Sequence, residues 1–142
     1  MAKNKQYTEK LRSSGLRPTK QRIKICEVLF KRDDTFHFTI NDLAKSISEQ
    51  LDEKISLATV YNTVHAFKNK GYLKEISINS DKSYFDTNVT NHHHFFDEDT
   101  NELIDCDEAI IETPKIKKNL SGKKINSVEV LVKVATDNQN QN

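Results

Sequence analysis

The chain has 142 residues, the length of one ordinary domain or of two small ones. Charged residues make up 30% of it and its mean hydropathy is −0.73, so no segment approaches the ~20 apolar residues of a membrane span. The formal net charge of +1 would by itself argue against a nucleic-acid-binding protein.

That average conceals a division of charge along the chain. Residues 1–75 hold 15 basic and 9 acidic side chains, whereas residues 76–142 hold 7 basic and 12 acidic ones. The first half therefore suits a polyanion and the second half suits cations. The N-terminal residues lack the apolar stretch of a secretory signal, and two cysteines make no disulfide framework. We therefore expect a cytoplasmic protein that does not associate with membranes.

The first half of the chain predicts three amphipathic helices before residue 52. The first covers about residues 8–14 and ends at Gly15, and the second covers residues 20–30 with Thr19 as its N-cap. The third opens with a capping-box pattern at Thr39, and its apolar residues recur with the period of a helix as far as Leu51. Cys26 falls on the apolar face of the second helix and is predicted to be a buried small hydrophobe.

A fourth helix is predicted between Ser56, a good N-cap, and Gly71, a good terminating residue. Its predicted buried stripe consists of Leu57, Val60, Val64 and Phe67. The opposite face consists of Ala58, Thr59, Asn62, His65, Ala66 and Asn69, with Tyr61 at its flank. This face is small, polar and nearly uncharged, which suits insertion into a major groove. There Asn and Thr read base edges, and Ala or an aromatic ring meets a thymine methyl group.

Strand patterns follow the fourth helix. Residues 72–78 and 83–87 are short β-like runs around a turn, and helices followed by such a hairpin indicate a winged helix-turn-helix. The alternative is another small α+β domain. Alternating residues over 125–135 predict a further strand. Dimerisation would cover its edge, and a dimeric DNA reader binds two-fold related half-sites.

The acidic half contains a candidate ligand cluster. From Asp86 to Glu112 there are nine acidic residues and no Lys or Arg, and His92, His93 and His94 lie among them. On a strand, His92 and His94 share a face while His93 points away from it. Carboxylate oxygens could come from Asp86 and Asp105, and a further imidazole from His37. Such a thiol-free site favours Fe(II), Mn(II) or Zn(II), and imidazoles could equally ligate haem iron; the alternative is a solvated loop.

The sequence offers little support for an enzyme. No C-x-x-C pair is present, which excludes a four-cysteine zinc site within one chain, and no nucleophile with a base can be identified. A metallohydrolase would need an open coordination position and a positioned base, and no feature demands one. We therefore predict a protein that is not an enzyme.

Several motifs together resemble those of the ferric uptake regulator (Fur) superfamily. They are Leu16-Arg-Pro-Thr-Lys-Gln-Arg22, Ser56-Leu-Ala-Thr-Val-Tyr-Asn62 and Gly71-Tyr-Leu73. A narrower resemblance, to the iron response regulator (Irr) branch of alpha-proteobacteria, lies in Tyr84-Phe-Asp-Thr-Asn88 followed by His92-His-His-Phe-Phe96. The resemblance covers about residues 8–135.

The resemblance implies an α+β fold with two domains. A winged helix-turn-helix DNA-binding domain would cover residues 1–87. Residues 88–136 would form a small α/β domain for dimerisation and for sensing metal or haem, and residues 137–142 would form a disordered tail. Tyr61 and its neighbours would contact bases, and Arg17 would approach a minor groove. The residues implied in DNA binding are Arg17, Lys20, Arg22, Ser56, Ala58, Thr59, Tyr61 and Asn62.

The resemblance also implies a sensory metal site with ligands from both domains. Carried over by motif, these ligands are His37, Asp86, His92, His94 and Asp105. A second metal or haem site would draw on His65, His93 and Glu112, although Asn91 and Val128 occupy two of its ligand positions. The usual C-x-x-C is replaced by Asp97 and Thr100, so the structural zinc is not expected. Neither proline is preceded by cysteine, so any haem would depend on the histidines.

The implied function is an iron-responsive, homodimeric transcription regulator of iron homeostasis that senses haem, a divalent metal (Fe, Mn or Zn) or both. Its partners would be double-stranded DNA with a two-fold related operator and, for haem sensing, a haem-delivering enzyme. The alternative within the superfamily is a Mn(II)- or Fe(II)-dependent or peroxide-sensing repressor without haem sensing.

Overall fold

The structure is a computed structural model that describes residues 2–138. The last four residues of the predicted tail lie outside this range. The chain divides into two units, the first ending at Val89 and the second beginning at Thr90.

Four helices make up most of the first unit: α1 (Ala2–Ser13), α2 (Lys20–Phe30), α3 (Ile40–Leu51) and α4 (Leu57–Lys70). The last three begin where their capping residues predict. The side chains of Thr19, Thr39 and Ser56 each accept a hydrogen bond from the backbone N–H three residues on. Helix α4 ends at Gly71, whose φ of 90° lies in the left-handed region that glycine adopts without strain. Helix α1 begins six residues before the predicted start at about Thr8.

A three-stranded antiparallel sheet completes the first unit. Its strands are β1 (His37–Phe38), β2 (Lys74–Asn79) and β3 (Lys82–Asp86), and β3 lies between the other two. The β2–β3 hairpin is the predicted wing, and the Asn79 side chain closes its turn by accepting the Asp81 N–H at 2.9 Å. The sequence did not predict β1, because a two-residue strand shows no alternation; its pairing with the distant β3 defines it.

One hydrophobic core joins the four helices to this sheet. It is built from the inner faces of the helices and from Phe38, Leu73 and Phe85 of the sheet region. The helical core residues are Tyr7, Leu11, Ile25, Cys26, Leu29, Leu43, Ala44, Ile47, Val60, Val64 and Phe67. Because the core packs against the inner face of α4, the outer face of this helix lies outside the core.

The buried stripe of α4 differs from the predicted one at two positions. Leu57 is 53% exposed, because it directly follows the N-cap, where the first turn projects beyond the core. Thr63 is fully buried instead. Its hydroxyl donates to the Thr59 carbonyl at 2.7 Å, so its polar group is satisfied within the helix and its methyl group faces the core.

The second unit contains a sheet of three strands, β4 (His93–Asp97), β5 (Glu102–Cys106) and β6 (Leu131–Val134). Strand β4 is central, with β5 antiparallel on one side and β6 parallel on the other. Strand β6 lies within the strand predicted over residues 125–135 but is shorter. Between β5 and β6, residues 107–130 form turns and irregular chain. None of the helices in the described range is long and apolar enough to cross a membrane.

Cys26 has no exposed surface, as predicted, and burial raises the pKa of its thiol to about 12, an effect that the nearby Lys10 only partly opposes. The unfolded thiol has a pKa near ~8.5. Because the folded pKa is the higher one, this contribution to the free energy of unfolding is complete below the unfolded pKa and is lost as the pH rises toward 12. We expect the wild-type protein to lose stability faster than Cys26→Ala by up to about 1.4 kcal/mol per pH unit above pH 9. Urea unfolding of both proteins between pH 8 and 10 measures the difference, and parallel pH profiles would contradict the prediction.

Candidate metal centre and nucleic-acid interface

The alternation of side chains at the start of β4 separates the three histidines. His92, which directly precedes the strand, and His94 share a face, and their ring centroids are 4.4 Å apart. His93 points to the other face, as predicted. His93 and His94 are both buried, with 2% and 4% of their surfaces exposed.

Asp105 completes a compact group with the first two histidines. It pairs directly with His94 across β4 and β5, which places both side chains on one face of the sheet. One carboxylate oxygen of Asp105 lies 3.0 Å from Nε2 of His94 and 3.4 Å from Nε2 of His92. Two imidazole nitrogens and a carboxylate oxygen therefore converge on one point.

A hydrogen bond sets the tautomer of His92. Its Nδ1 lies 2.7 Å from the Thr90 carbonyl oxygen, which can only accept. Nδ1 therefore carries the proton, and in the neutral ring the Nε2 lone pair points toward Asp105. An imidazole whose second nitrogen donates to a carbonyl is the usual arrangement of a metal-binding histidine.

The donor atoms of His92, His94 and Asp105 suit a divalent cation. They lie within 4.8 Å of one another, close to the spacing of ligands that each bind a common ion at ~2.0–2.2 Å. Two nitrogens and one oxygen without a thiolate match Fe(II), Mn(II) or Zn(II) better than soft ions.

The other two predicted ligands, His37 and Asp86, are neighbours in the first unit. They pair directly across β1 and β3, so their side chains lie on one face of that sheet. The Asp86 carboxylate accepts the Asn88 N–H at 2.8 Å. On its other side Asp86 pairs with Lys74. Burial lowers the pKa of the Lys74 ammonium, and the negative charge of Asp86 partly offsets that effect.

His93 belongs to a different network from its two neighbours. Its Nδ1 accepts the Val130 N–H at 2.9 Å, so in the neutral ring Nε2 carries the proton and donates to the Thr113 hydroxyl at 2.9 Å. The Thr113 hydroxyl in turn donates to the Glu108 carboxylate. Both ring nitrogens of His93 are thus engaged in holding the segment between β5 and β6.

Two further residues were predicted for the second site, Glu112 and His65. Glu112 is exposed, and His65 lies on α4 in the first unit. Within the described part of the second unit, neither His93 nor Glu112 belongs to a group of three or more convergent metal donors.

The outer face of α4 presents the predicted DNA-reading side chains. Tyr61 is 51% exposed, and Ala58 and Asn62 are also exposed. The hydroxyls of Ser56 and Thr59 are hydrogen-bonded to each other at 2.8 Å and cap the helix. The exposed Leu57, which was predicted to be buried, extends this face as an apolar group. The signal that could have identified it is its place directly after the N-cap.

The predicted basic residues before and within α2 lie at one end of that helix. Arg17 and Lys20 are exposed, and the Arg22 guanidinium donates to the Arg17 carbonyl at 2.8 Å, which holds the loop before the helix. Lys20 makes only a 4.0 Å contact with Glu53, an exposed pair of the kind that contributes little to stability. Its ammonium therefore remains available to an external anion.

Known proteins resemble this chain in sequence. The sequence profile of the ferric uptake regulator family matches residues 13–134. A ferric uptake regulation protein of Vibrio parahaemolyticus is 36% identical over 103 residues, which are 72% of this chain and 68% of that protein. A peroxide-responsive repressor PerR of Staphylococcus aureus is 34% identical over 95 residues, 67% of this chain and 62% of that protein.

Solved structures share the fold. The ferric uptake regulator of Pseudomonas aeruginosa, determined with manganese, superimposes with a TM-score of 0.66 at 24% identity, covering 92% of this chain and 97% of that one. The Vibrio cholerae ferric uptake regulator gives a TM-score of 0.62 at 25% identity, covering 89% and 98%. These likenesses confirm the predicted fold class, a helical N-terminal domain followed by an α/β sheet domain. The profile match over most of the chain and the relatives above 30% identity show that this protein belongs to the ferric uptake regulator family, a family of transcription regulators rather than enzymes.

Proposed function

We propose that this chain is a cytoplasmic, homodimeric transcription regulator whose binding to a two-fold related operator depends on a divalent metal. The observation that carries the proposal is the convergence of His92 Nε2, His94 Nε2 and one Asp105 oxygen on a single point. The Thr90 carbonyl fixes the tautomer of His92, so that in the neutral ring the Nε2 lone pair is directed toward this point.

In this proposal His37 and Asp86 complete the ligand set. Their direct pairing across β1 and β3 makes them a ready pair of donors, as the resemblance implies. In this set, three imidazoles and two carboxylates together bind one divalent ion, which is Fe(II), Mn(II) or Zn(II). The acidic stretch from Asp86 to Glu112 lowers the cost of concentrating a cation in this part of the chain.

Ligands drawn from both units provide the regulation. Metal binding then favours one arrangement of the winged helices over others. The resulting change in the free energy of DNA binding is limited to the difference in metal-binding free energy between those arrangements. A coupling of about 1–3 kcal/mol changes DNA affinity about 5- to 150-fold.

The reading of DNA is assigned to α4. Asn62 offers an amide for base edges, whereas Leu57, Ala58 and Tyr61 offer apolar surface for thymine methyl groups. Arg17, Lys20 and Arg22 supply phosphate or minor-groove contacts, which give affinity and its salt dependence rather than specificity.

The second unit supports the homodimer. Strand β6 lies at an edge of its sheet, and the segment before it exposes several large apolar side chains. These are Ile110, Ile116, Leu120 and Ile125. Exposed apolar groups beside an open strand edge are typical of a surface that a second copy covers.

Two more specific functions, haem sensing and peroxide sensing, are supported by different features. Haem sensing, as in the iron response regulator branch, is favoured by the triple histidine together with the replacement of C-x-x-C by Asp97 and Thr100. It would require His93 to exchange its bonds to Val130 and Thr113 for iron and would involve a haem-delivering enzyme as partner. Peroxide sensing without haem is favoured by the likeness to a peroxide-responsive repressor.

The metal site predicts distinct effects for two acidic residues of β5. Asp105→Asn and His94→Ala should each weaken Mn(II) binding at least about tenfold, because each removes a donor from the convergent group. Glu102→Gln is the matched control, since it removes a charge from the other face of the same strand. Calorimetric titration of metal-free protein with Mn(II) measures the affinities. Equal losses in Asp105→Asn and Glu102→Gln would mean that the ion is held by diffuse charge and not by this site.

The reading face predicts a loss of specificity in Tyr61→Ala. This substitution should weaken binding to a duplex selected from a random library by about 5- to 150-fold, the ~1–3 kcal/mol of one good base contact. Binding to a shuffled duplex should change little, because phosphate contacts dominate it. Fluorescence anisotropy at one fixed salt concentration gives both affinities. A similar loss on both duplexes would show that Tyr61 is not a reader.

Haem sensing predicts a spectroscopic signal that depends on the histidines. Titration with haem should give a Soret band that disappears in the His92→Ala/His93→Ala/His94→Ala variant, and haem should lower the affinity of the wild-type protein for the selected duplex. Metal-dependent DNA binding without a Soret shift would eliminate haem sensing and leave the metal sensor.

A further inference from the structure

Tyr61, the exposed ring on the reading face of α4, lies against a histidine one helical turn away. The centroids of the Tyr61 and His65 rings are 4.0 Å apart, and the ring planes are inclined by 32°. Tyr61 is 51% exposed despite this contact. One face of the tyrosine ring is therefore supported by protein, while the remainder faces solvent.

His65 is itself held from behind by the wing sheet. Its ring meets Phe85 of β3 edge to face, with centroids 5.5 Å apart and an angle of 75°. Phe85 is only 2% exposed and stacks on Phe38 of β1. The three rings of Phe85, His65 and Tyr61 thus form a column from the core to the outer face of α4.

The Glu75 carboxylate of the wing sheet interacts electrostatically with His65, the middle ring of this column. Glu75 of β2 pairs directly with Phe85, so its carboxylate lies on the same sheet face near the imidazole. Lys68 of α4 holds this carboxylate at 2.8 Å. The Lys68 hydrogen bond lowers the pKa of Glu75, burial opposes this, and the electrostatic interaction with His65 adds a smaller lowering.

We infer that His65 is a positioning residue that holds the Tyr61 ring in the orientation used to read DNA, an inference that rests on the proposed DNA-binding function. An exposed tyrosine without such support samples several rotamers and must be ordered on binding. When the tyrosine stacks on a ring that the core holds in place, its side chain is already ordered before DNA binds.

The inference predicts selective effects for substitutions of His65. His65→Ala should weaken binding to the selected duplex about 3- to 10-fold, the range expected for ordering one side chain. Binding to a shuffled duplex should stay unchanged. His65→Phe, which keeps a ring to stack on, should retain most of the specific affinity. His65→Leu, which keeps apolar volume without a ring, should behave like His65→Ala.

A double-mutant cycle separates positioning from direct contact. In a Tyr61→Ala background, His65→Ala should have no further effect on specific affinity, because the residue that it positions is absent. Gln50→Ala, an exposed and uncharged substitution near the end of α3, is the control and should leave both affinities unchanged. Additive losses in the cycle would overturn the inference, since they would mean that His65 contacts DNA independently.

A readout without DNA tests the stack itself. The ring signals of Tyr61, assigned by comparison with Tyr61→Phe, should show a ring-current shift in NMR spectra of the full-length protein. That shift should move in His65→Leu and remain in Gln50→Ala, with thermal unfolding confirming that each variant is folded. An unchanged tyrosine shift in His65→Leu would overturn the inference.

Failure of the inference and failure of the proposed function give different results. If Tyr61→Ala retains full specific affinity, α4 does not read DNA through Tyr61 and the proposed reader fails. If Tyr61→Ala weakens specific binding but His65→Ala and His65→Leu do not, the reader stands and the positioning role is overturned.

Discussion

The period of two along strand β4 is the constraint on which the second unit depends. Because successive side chains point to opposite faces, three adjacent histidines divide between two tasks. His92 and His94 meet Asp105 on one face, whereas His93 bonds to Val130 and Thr113 on the other. The central strand thus connects a candidate ion site to the segment that carries the exposed apolar side chains. A shift of register by one residue would exchange these tasks, so the pairing of β4 with β5 and β6 fixes the chemistry.

In the first unit the corresponding constraint is the attachment of α4. Val60, Val64 and Phe67 are fully buried, which fixes the rotation of the helix about its axis. The outer face of α4 therefore consists of the residues that the core does not bury. The same sheet that supports the core reaches this face through Phe85 and His65, so α4 and the wing form one packed assembly. In the proposed DNA interface this packing would orient the reading side chains before DNA binds.

Electrostatics separates the two proposed tasks along the chain. The net charge of +1 is the sum of a basic first half and an acidic second half, so it describes neither. The basic excess can attract phosphates, whereas the acidic stretch around the histidines concentrates cations and keeps that part of the chain away from DNA. A near-neutral net charge is thus compatible with a chain whose two halves carry opposite charges.

The sequence by itself determined the elements whose signals are local. The caps at Thr19, Thr39 and Ser56, the end at Gly71, the hairpin and the split of the histidines all depend on neighbours within a few residues. It also indicated Asp105, although only the cross-strand register could place its oxygen at both imidazoles. Tertiary structure alone decided β1, which exists by pairing with β3, the exposure of Leu57, the burial of Thr63, and the bonds of His93 to Val130 and Thr113. The physical reason is the same in each case: these features depend on contacts between residues far apart in the chain, or on where a local turn lies relative to the core, and neither leaves a periodic signal in the sequence.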